Sequence, residues 1–265
     1  MLTPLYQEIK QQVLSSPTVH ADETRHQRGN ERRWMWLACT RELSVFMTHY
    51  SRGQGAAKKL LGDDVSFVTV TDQYAGYHFI DAKQRQLCWA HILRNVMAIA
   101  ESWGSNQAVG QRLVGLVNIL FRTRHRFEQG LLTEPIYLRR MHKLKSHWEA
   151  ALAQGQRLCC TSHYRNRCQL LLKHNAMCWT FLEHAHIPLT NNEAERSLRS
   201  YVLWRKGSYG VWSHRGEQFR QRILTLVESC RKLAANPLDW LRRIVRSVLE
   251  KTPYPSLAEL KALSQ

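Results

Sequence analysis

Only Arg41 and Glu42 separate two strand-like runs, Trp34–Thr40 and Leu43–Tyr50. Both runs are rich in aromatic and apolar residues, and so short a connection predicts a hairpin. The chain is therefore committed to an antiparallel sheet, and its helices must pack on that sheet or form a core of their own. Upstream, residues 4–15 read as a short helix ended by Ser16-Pro17, since proline cannot continue a helix and biases its predecessor away from one. Thr18–Asp22 then reads as a strand with an acid at its end. Downstream, Ser51-Arg52-Gly53 breaks the second hairpin strand, and Gln54–Leu61 reads as a helix closed by Gly62. Phe67–Asp72 is a β-branched run that again ends in an acid. Gln86–Trp89 is a last short strand, and Ala90–Ser102 reads as a helix.

The pattern then changes. From Ala108 to about His186 the apolar residues fall at helical spacing, as in Val109, Leu113, Leu116, Val117 and Leu120, and again over Tyr137–Leu152. Such stripes read as core. Residues 187–192 form a loop whose Thr190, Asn191 and Asn192 suit the start of a helix near Glu193. Arg215–Leu233 is a long amphipathic helix, and Asn236-Pro237 opens a final one over Leu238–Glu250. The sequence predicts five segments: an N-terminal helix (1–16), a first part of a mixed α/β core (17–105), a helical insertion (106–187), a second part of the core (188–252) and a tail (253–265). No internal repeat or low-complexity stretch interrupts them.

Composition narrows the function classes. Hydrophobic residues make up 44% and charged residues 22%, which is globular rather than disordered. Lys and Arg number 38 against 21 Asp and Glu, a formal charge of +17. That excess repels itself unless a polyanion is near, so nucleic acid is the first partner to expect. The seven cysteines are odd in number and include no CxxC pair, which argues against a secreted disulfide framework and a zinc ribbon and fits a reducing cytoplasm. The polar start has no signal-peptide core, and no apolar run is long enough for a membrane span.

Three acids stand where chemistry could use them. Asp22 and Asp72 each end a strand. If those strands are parallel neighbours, both carboxylates reach one sheet edge, where open α/β sheets place ligands. Carboxylates brought together repel, and a divalent cation such as Mg²⁺, which takes oxygen ligands, relieves the cost. The third candidate lies on the helix starting at Asn191-Asn192. Glu193 and Glu195 are roughly 200° apart around a helix, so only one can join the others. Glu195 shares its face with Asn191, Asn192 and Arg199 and is the better choice. Singly, a strand-terminal Asp is as readily a turn residue, and a first-turn Glu serves the helix dipole.

Around Glu195 the chain is basic: Arg196, Arg199, Arg205, Lys206, Arg215, Arg220 and Arg222. These suit phosphate contact. Tyr201, Trp204, Tyr209 and Trp212 are interleaved, and such rings can stack on unpaired bases, although Trp204 and Trp212 read rather as core. Cys88 and His91 form a Cys-x-x-His pair. Zinc there would need two further ligands that no nearby CxxC or HxxH supplies.

The strings His20-Ala21-Asp22-Glu23-Thr24, Thr71-Asp72-Gln73-Tyr74, Cys88-Trp89-Ala90-His91 and Thr190–Arg196 resemble transposases of the insertion-sequence 66 family, as do Trp204–Gly210 and Asn236–Asp239. The resemblance runs from about residue 5 to about residue 250. It implies the catalytic core of a DDE transposase: an RNase H-like mixed sheet, matching the strand and helix order above, with the all-helical insertion before the last catalytic helix. It implies that Asp22, Asp72 and Glu195 are the catalytic and metal-binding acids, with two Mg²⁺ or Mn²⁺ ions. It also implies transposon ends and target DNA as substrates, a homo-oligomer on DNA, accessory transposition proteins as further partners, and a cytoplasmic, nucleoid-associated location. Cys88/His91, Asn191 and Asn192 match motif positions and are carried as accessory residues. Family members carry a longer region before the core than residues 1–16, with a DNA-recognition part, so the resemblance leaves end recognition and activity by this chain alone open. Two rival readings share the acids: an RNase H-like nuclease or resolvase that cuts without joining, and an inactive DNA-binding remnant.

Overall fold

The computed structural model describes residues 2–184 and 186–262; residue 185 of the expected insertion and residues 263–265 of the expected tail lie outside it. In chain order the elements are α1 (Thr3–Leu14), β1 (Thr18–Arg28), β2 (Glu31–Cys39), β3 (Ser44–His49), α2 (Gln54–Leu61), β4 (Val68–Thr71), β5 (Arg85–Leu87), α3 (Trp89–Ala100), α4 (Ser105–Glu128), α5 (Glu134–Leu158), α6 (Ser162–Lys173), α7 (Asn175–Cys178), α8 (Asn192–Ser208), α9 (His214–Lys232), α10 (Pro237–Glu250) and α11 (Leu257–Ala262). They fall into two compact units, one of residues 1–81 with 191–265 and one of residues 82–190. The expected limit at 105/106 thus differs from the observed grouping, which takes β5 and α3 into the helical unit.

In the first unit the strands lie in the order β3-β2-β1-β4. β1 and β2 pair antiparallel from His20↔Cys39 to Arg28↔Glu31, and β2 pairs antiparallel with β3. β1 pairs parallel with β4. The sheet is therefore mixed. Period-two alternation sends β2 side chains to opposite faces. Trp36 and Ala38 enter a core with Leu5, Ile9 and Val13 of α1, Leu60 of α2, and Trp240 and Ile244 of α10. Met35, Leu37 and Cys39 enter a second core with Phe46, Ala194, Leu198, Tyr201 and Leu224. Ala194, Leu198 and Tyr201 recur every three to four residues, which turns one stripe of α8 onto the sheet.

The sequence reading ends the first strand at Asp22, but β1 runs on to Arg28. Its second half hides from a hydrophobicity pattern because its inward residues are polar and satisfied by ions. His26 is 2% exposed and its Nδ1 lies 2.6 Å from the Tyr201 hydroxyl. The buried Glu217 carboxylate accepts from Arg28 at 3.0 Å and from Arg33 at 3.0 and 3.1 Å. Burial, and then Arg220, Arg33, Arg205 and Arg28, push His26 down to about 4, so the imidazole is neutral. Gly29 takes φ 52° at the hairpin turn, as a two-residue connection requires.

The edge strand β3 is closed by side chains of α9. Ser229 Oγ accepts from Ser44 N at 3.1 Å, Thr225 Oγ1 from Phe46 N at 2.9 Å, and Gln221 Oε1 from Thr48 N at 3.0 Å. Four helical residues rise about 6 Å and two strand residues about 6.8 Å, so the two periods nearly match. Backbone donors that would otherwise template aggregation are thereby used up.

The second unit is built from β5 and helices α3 to α7. Trp89 packs edge-on against Trp148 at 5.2 Å and Trp179 at 5.1 Å, and its indole N–H donates to the Cys178 carbonyl at 2.8 Å. A Cβ on Gly110 would stand 2.1 Å from Ala100 N, so α4 meets the end of α3 backbone to backbone. That contact, together with Trp89, draws α3 into this core. Among the described residues no helix is long and apolar enough to cross a membrane.

Candidate active site

The acids Asp22, Asp72 and Glu195 all belong to the first unit. The β1–β4 pairing reaches His20↔Val70, and the same register carried forward sets Asp22 opposite Asp72. Asp22 pairs with Leu37 and Glu23 with Trp36. Leu37 packs beside Ala194 and Leu198 of α8, so Asp22 shares the sheet face that α8 covers, whereas Glu23 shares the face of Trp36 and Tyr77. Asp22 Oδ1 accepts from Glu23 N at 2.8 Å, and Asp72 Oδ1 accepts from Tyr74 N at 2.9 Å in a local turn that fixes the carboxylate just past β4.

The two candidate glutamates of α8 diverge. Glu193 pairs with Lys232 at 2.9 Å and with Arg196 at 3.6 Å. Glu195 instead lines a cleft of about 640 Å³ with Asp22, Thr24, Asn192, Arg196 and Arg199. Asn191 sets the position of the helix: it is 1% exposed, its Oδ1 lies 3.0 Å from His20 Nδ1, and its amide donates to Ala21 O at 2.9 Å. The first turn of α8 is thus tied to β1 on the residues just before Asp22.

The electrostatics are those of crowded carboxylates. Burial, then the charges of Glu23, Asp72 and Glu195, push Asp22 up to about 8, opposed by the backbone hydrogen bond from Glu23. Glu23 is a neighbour of these acids that was not among the expected site residues. It is buried, accepts from Tyr77 OH at 2.6 Å and from Arg52 Nε at 2.9 Å, and its own carboxyl is raised, chiefly by burial. Arg52 lies over the Tyr74 ring at 3.9 Å, which joins the Glu23 pair to the Asp72 turn. The adjacent acid in His-Ala-Asp-Glu was the available signal.

The expected basic residues divide. Arg196 and Arg199 are exposed on the cleft wall, and Arg215 is exposed in the first turn of α9. Arg205 donates to Thr24 Oγ1 at 3.3 Å and to Arg25 O, and with Lys206 lines a separate pocket. Arg220 is 5% exposed, donates to Ser208 Oγ at 3.0 Å and lies 4.5 Å over the Trp204 ring, so it stands outside the exposed basic surface. Trp204 and Trp212 are not core as expected: they are 38% and 88% exposed. In the helical unit, Cys88 is buried at the start of α3 and its carbonyl accepts from His91 N at 3.1 Å, while His91 Nε2 lies 3.2 Å from Arg94.

This chain is similar to two proteins of Sinorhizobium fredii, both uncharacterized. It is 35% identical to y4hP over 80 residues, which is 30% of this chain and 14% of that protein. It is 29% identical to y4qI over 83 residues, which is 31% of this chain and 15% of that protein. The matched segment thus covers about a seventh of each of these relatives. No solved structure matches the chain. A family described as Transposase IS66 family matches residues 1–219, the greater part of the sequence and the whole span from Asp22 through Asp72 to Glu195. The chain belongs to the IS66 family of transposases.

Proposed function

We propose that the first unit is an RNase H-like catalytic core that cleaves DNA at transposon ends and joins the ends to target DNA, with Asp22, Asp72 and Glu195 as its catalytic acids. The observation that carries this reading is placement: Asp22 and Glu195 line one cleft, and the β1–β4 register carried two residues past its last pair sets Asp72 opposite Asp22. The strand order β3-β2-β1-β4, with β1 parallel to β4, supports the fold assignment. On this reading residues 82–190 are an insertion between β4 and the glutamate helix α8.

The donor set fits divalent metal. Half-buried carboxylates that repel one another are stabilised by a cation, and all-oxygen donors suit Mg²⁺ or Mn²⁺. Asp22, Asp72 and Glu195 would hold the ions. Two ions in such a site supply charge stabilisation for the attacking and leaving oxygens of an in-line displacement.

The protein's own residues do the rest. Arg196 and Arg199 on the cleft wall bind the phosphates on either side of the scissile bond. Asn191 holds α8 at a fixed height on β1, and the Glu23–Arg52–Tyr77 cluster holds the strand behind Asp22. In the first step water attacks phosphorus and a DNA 3′-oxygen leaves and takes up a proton. In the second, that 3′-OH attacks a target phosphodiester and a target 3′-OH leaves. One phosphodiester bond is exchanged for another, so the joining step needs no energy source and no covalent enzyme intermediate. Transposon ends come in pairs, which calls for more than one copy of the chain on the DNA.

The test is a strand-transfer assay with labelled end oligonucleotides and a plasmid target in Mg²⁺. Joined products that vanish in Asp22→Asn, Asp72→Asn and Glu195→Gln are expected. Cleavage without joining would make the protein a nuclease, and binding without either would make it a DNA-binding remnant.

A further inference from the structure

A second concave site lies in the first unit, at the β1–β2 hairpin end and the C-terminus of α8. It has a volume of about 610 Å³ and is lined by residues that include Arg25, Arg32, Arg205, Lys206 and Tyr209. We propose that it binds unpaired nucleotides of the DNA strand that leaves the acidic cleft, a reading that rests on the proposed function for the strand's origin but not for the site itself.

Charge is the first argument. No acid lines this pocket. Arg25, Arg32 and Lys206 form no ion pair among the described residues, in contrast to Arg28 and Arg33, which are held by Glu217. Arg205 bonds only to neutral oxygens, Thr24 Oγ1 and Arg25 O. Cations left unneutralised around a concavity select a polyanion.

The rings are the second. Tyr209 and Trp212 are each 88% exposed, yet the backbone between them is fixed. Val211 bridges to Arg28, its N–H donates to Gln27 O at 3.0 Å, and its carbonyl accepts from Gly29 N at 2.7 Å. Gly210 takes φ 104° and a Cβ there would meet Gln27 O at 2.5 Å, so only glycine lets the chain dock this closely. Tyr209 is held at φ 53°, in the left-handed region that bulky residues avoid. Two large rings are thus presented to solvent from a clamped and strained segment, Tyr209 lining the basic pocket and Trp212 beside Gly29 of the hairpin turn. Base faces are available for stacking only in unpaired nucleotides, so the pairing of rings with free cations selects a single strand over a duplex.

Placement is the third. Asn192, Glu195, Arg199 and Val202 line the acidic cleft, and Lys206 and Tyr209 line the basic pocket. These residues follow one another at three- and four-residue spacing, so both sites open along one stripe of α8. From Glu195 to Lys206 the helix rises about 16 Å. That equals about five nucleotides at the spacing of a duplex strand.

The test measures binding of a labelled oligothymidylate and of a blunt duplex of equal length by fluorescence anisotropy. It uses the full chain in EDTA at fixed salt, so that no cleavage occurs. Tyr209→Ala and Trp212→Ala are expected to weaken single-strand binding about tenfold each and duplex binding much less. Tyr209→Phe and Trp212→Phe are expected to restore it. Arg25→Ala with Arg32→Ala is expected to weaken binding and flatten its salt dependence. Unchanged single-strand affinity in Tyr209→Ala, or an equal loss for single strand and duplex, overturns the proposal. Loss of cleavage activity with this binding pattern intact would instead count against the catalytic reading alone.

Discussion

Asp22 on β1 and Asp72 just past the end of β4 each lie two residues beyond His20↔Val70, the last pair of these parallel strands. The consequence is electrostatic. Asp22 is half-buried, and its carboxyl is raised from 3.8 to about 8, chiefly by desolvation and the charge of Glu23, with Asp72 and Glu195 adding to it. In the unfolded chain the same group ionises near its ordinary value. Between about pH 4 and pH 8 the folded state therefore binds more protons than the unfolded state, and metal-free stability falls as pH rises through that window.

A divalent cation is expected to reverse this loss. Mg²⁺ or Mn²⁺ takes the ionised carboxylate, so the rise in melting temperature should be small near pH 6 and larger above pH 8. At about a hundredfold excess over Kd the gain is about 2.7 kcal/mol. Scanning calorimetry with and without metal measures it. Asp22→Asn should flatten the pH dependence, leaving the part due to Glu23, and abolish the metal effect; a metal effect that survives this substitution places the ions elsewhere.

Glu193 and Glu195 should separate cleanly. Glu195→Gln is expected to abolish cleavage while the fold persists. Glu193→Gln loses the Lys232 pair, whose partners are 8% and 21% exposed, and should cost about 1–3 kcal/mol of stability with cleavage retained. Urea unfolding beside a cleavage assay reads both, and the reverse pattern would show that the wrong face of α8 was chosen.

Glu217 is the charge on which the hairpin end depends. Glu217→Ala leaves Arg28 and Arg33 with only the exposed Glu31 beside an already neutral His26 and should cost about 1–3 kcal/mol. Equilibrium denaturation measures this, and a loss below about 1 kcal/mol would mean that solvent reaches the guanidinium groups.

The edge seal is open to a similar test. Thr225→Val keeps the shape of the side chain but leaves Phe46 N without its 2.9 Å acceptor, which should cost about 1–3 kcal/mol. Light scattering should show more association in this variant than in wild type, since a freed strand edge templates pairing.

The elements that residue patterns disclosed are those whose stability comes from apolar periodicity. The Arg41-Glu42 connection, the β-branched run before Asp72 and the Val109–Leu120 stripe of α4 are legible because burial alternates with period two or recurs every three to four residues. The second half of β1 was not legible, because His26 and Glu23 are buried by partners distant in sequence, Tyr201, Tyr77 and Arg52. Arg220 followed the same logic in reverse: a cation in a basic stretch reads as surface, and only the fold reveals that Trp204 and Ser208 enclose it. Trp212 was misplaced because hydrophobicity says nothing about whether a ring has a neighbour to bury it. For the site, expected strand ends pointed to Asp22 and Asp72 and helix phase to Glu195, whereas the pair of Glu193 with Lys232 on α9 is visible only in the fold.

The most direct test of the account is a crystal soaked in Mn²⁺ and measured for anomalous scattering. The account predicts manganese between the carboxylates of Asp22, Asp72 and Glu195, with the peaks lost in Asp22→Asn. Manganese bound only at other groups, with these three carboxylates left unliganded, would contradict it.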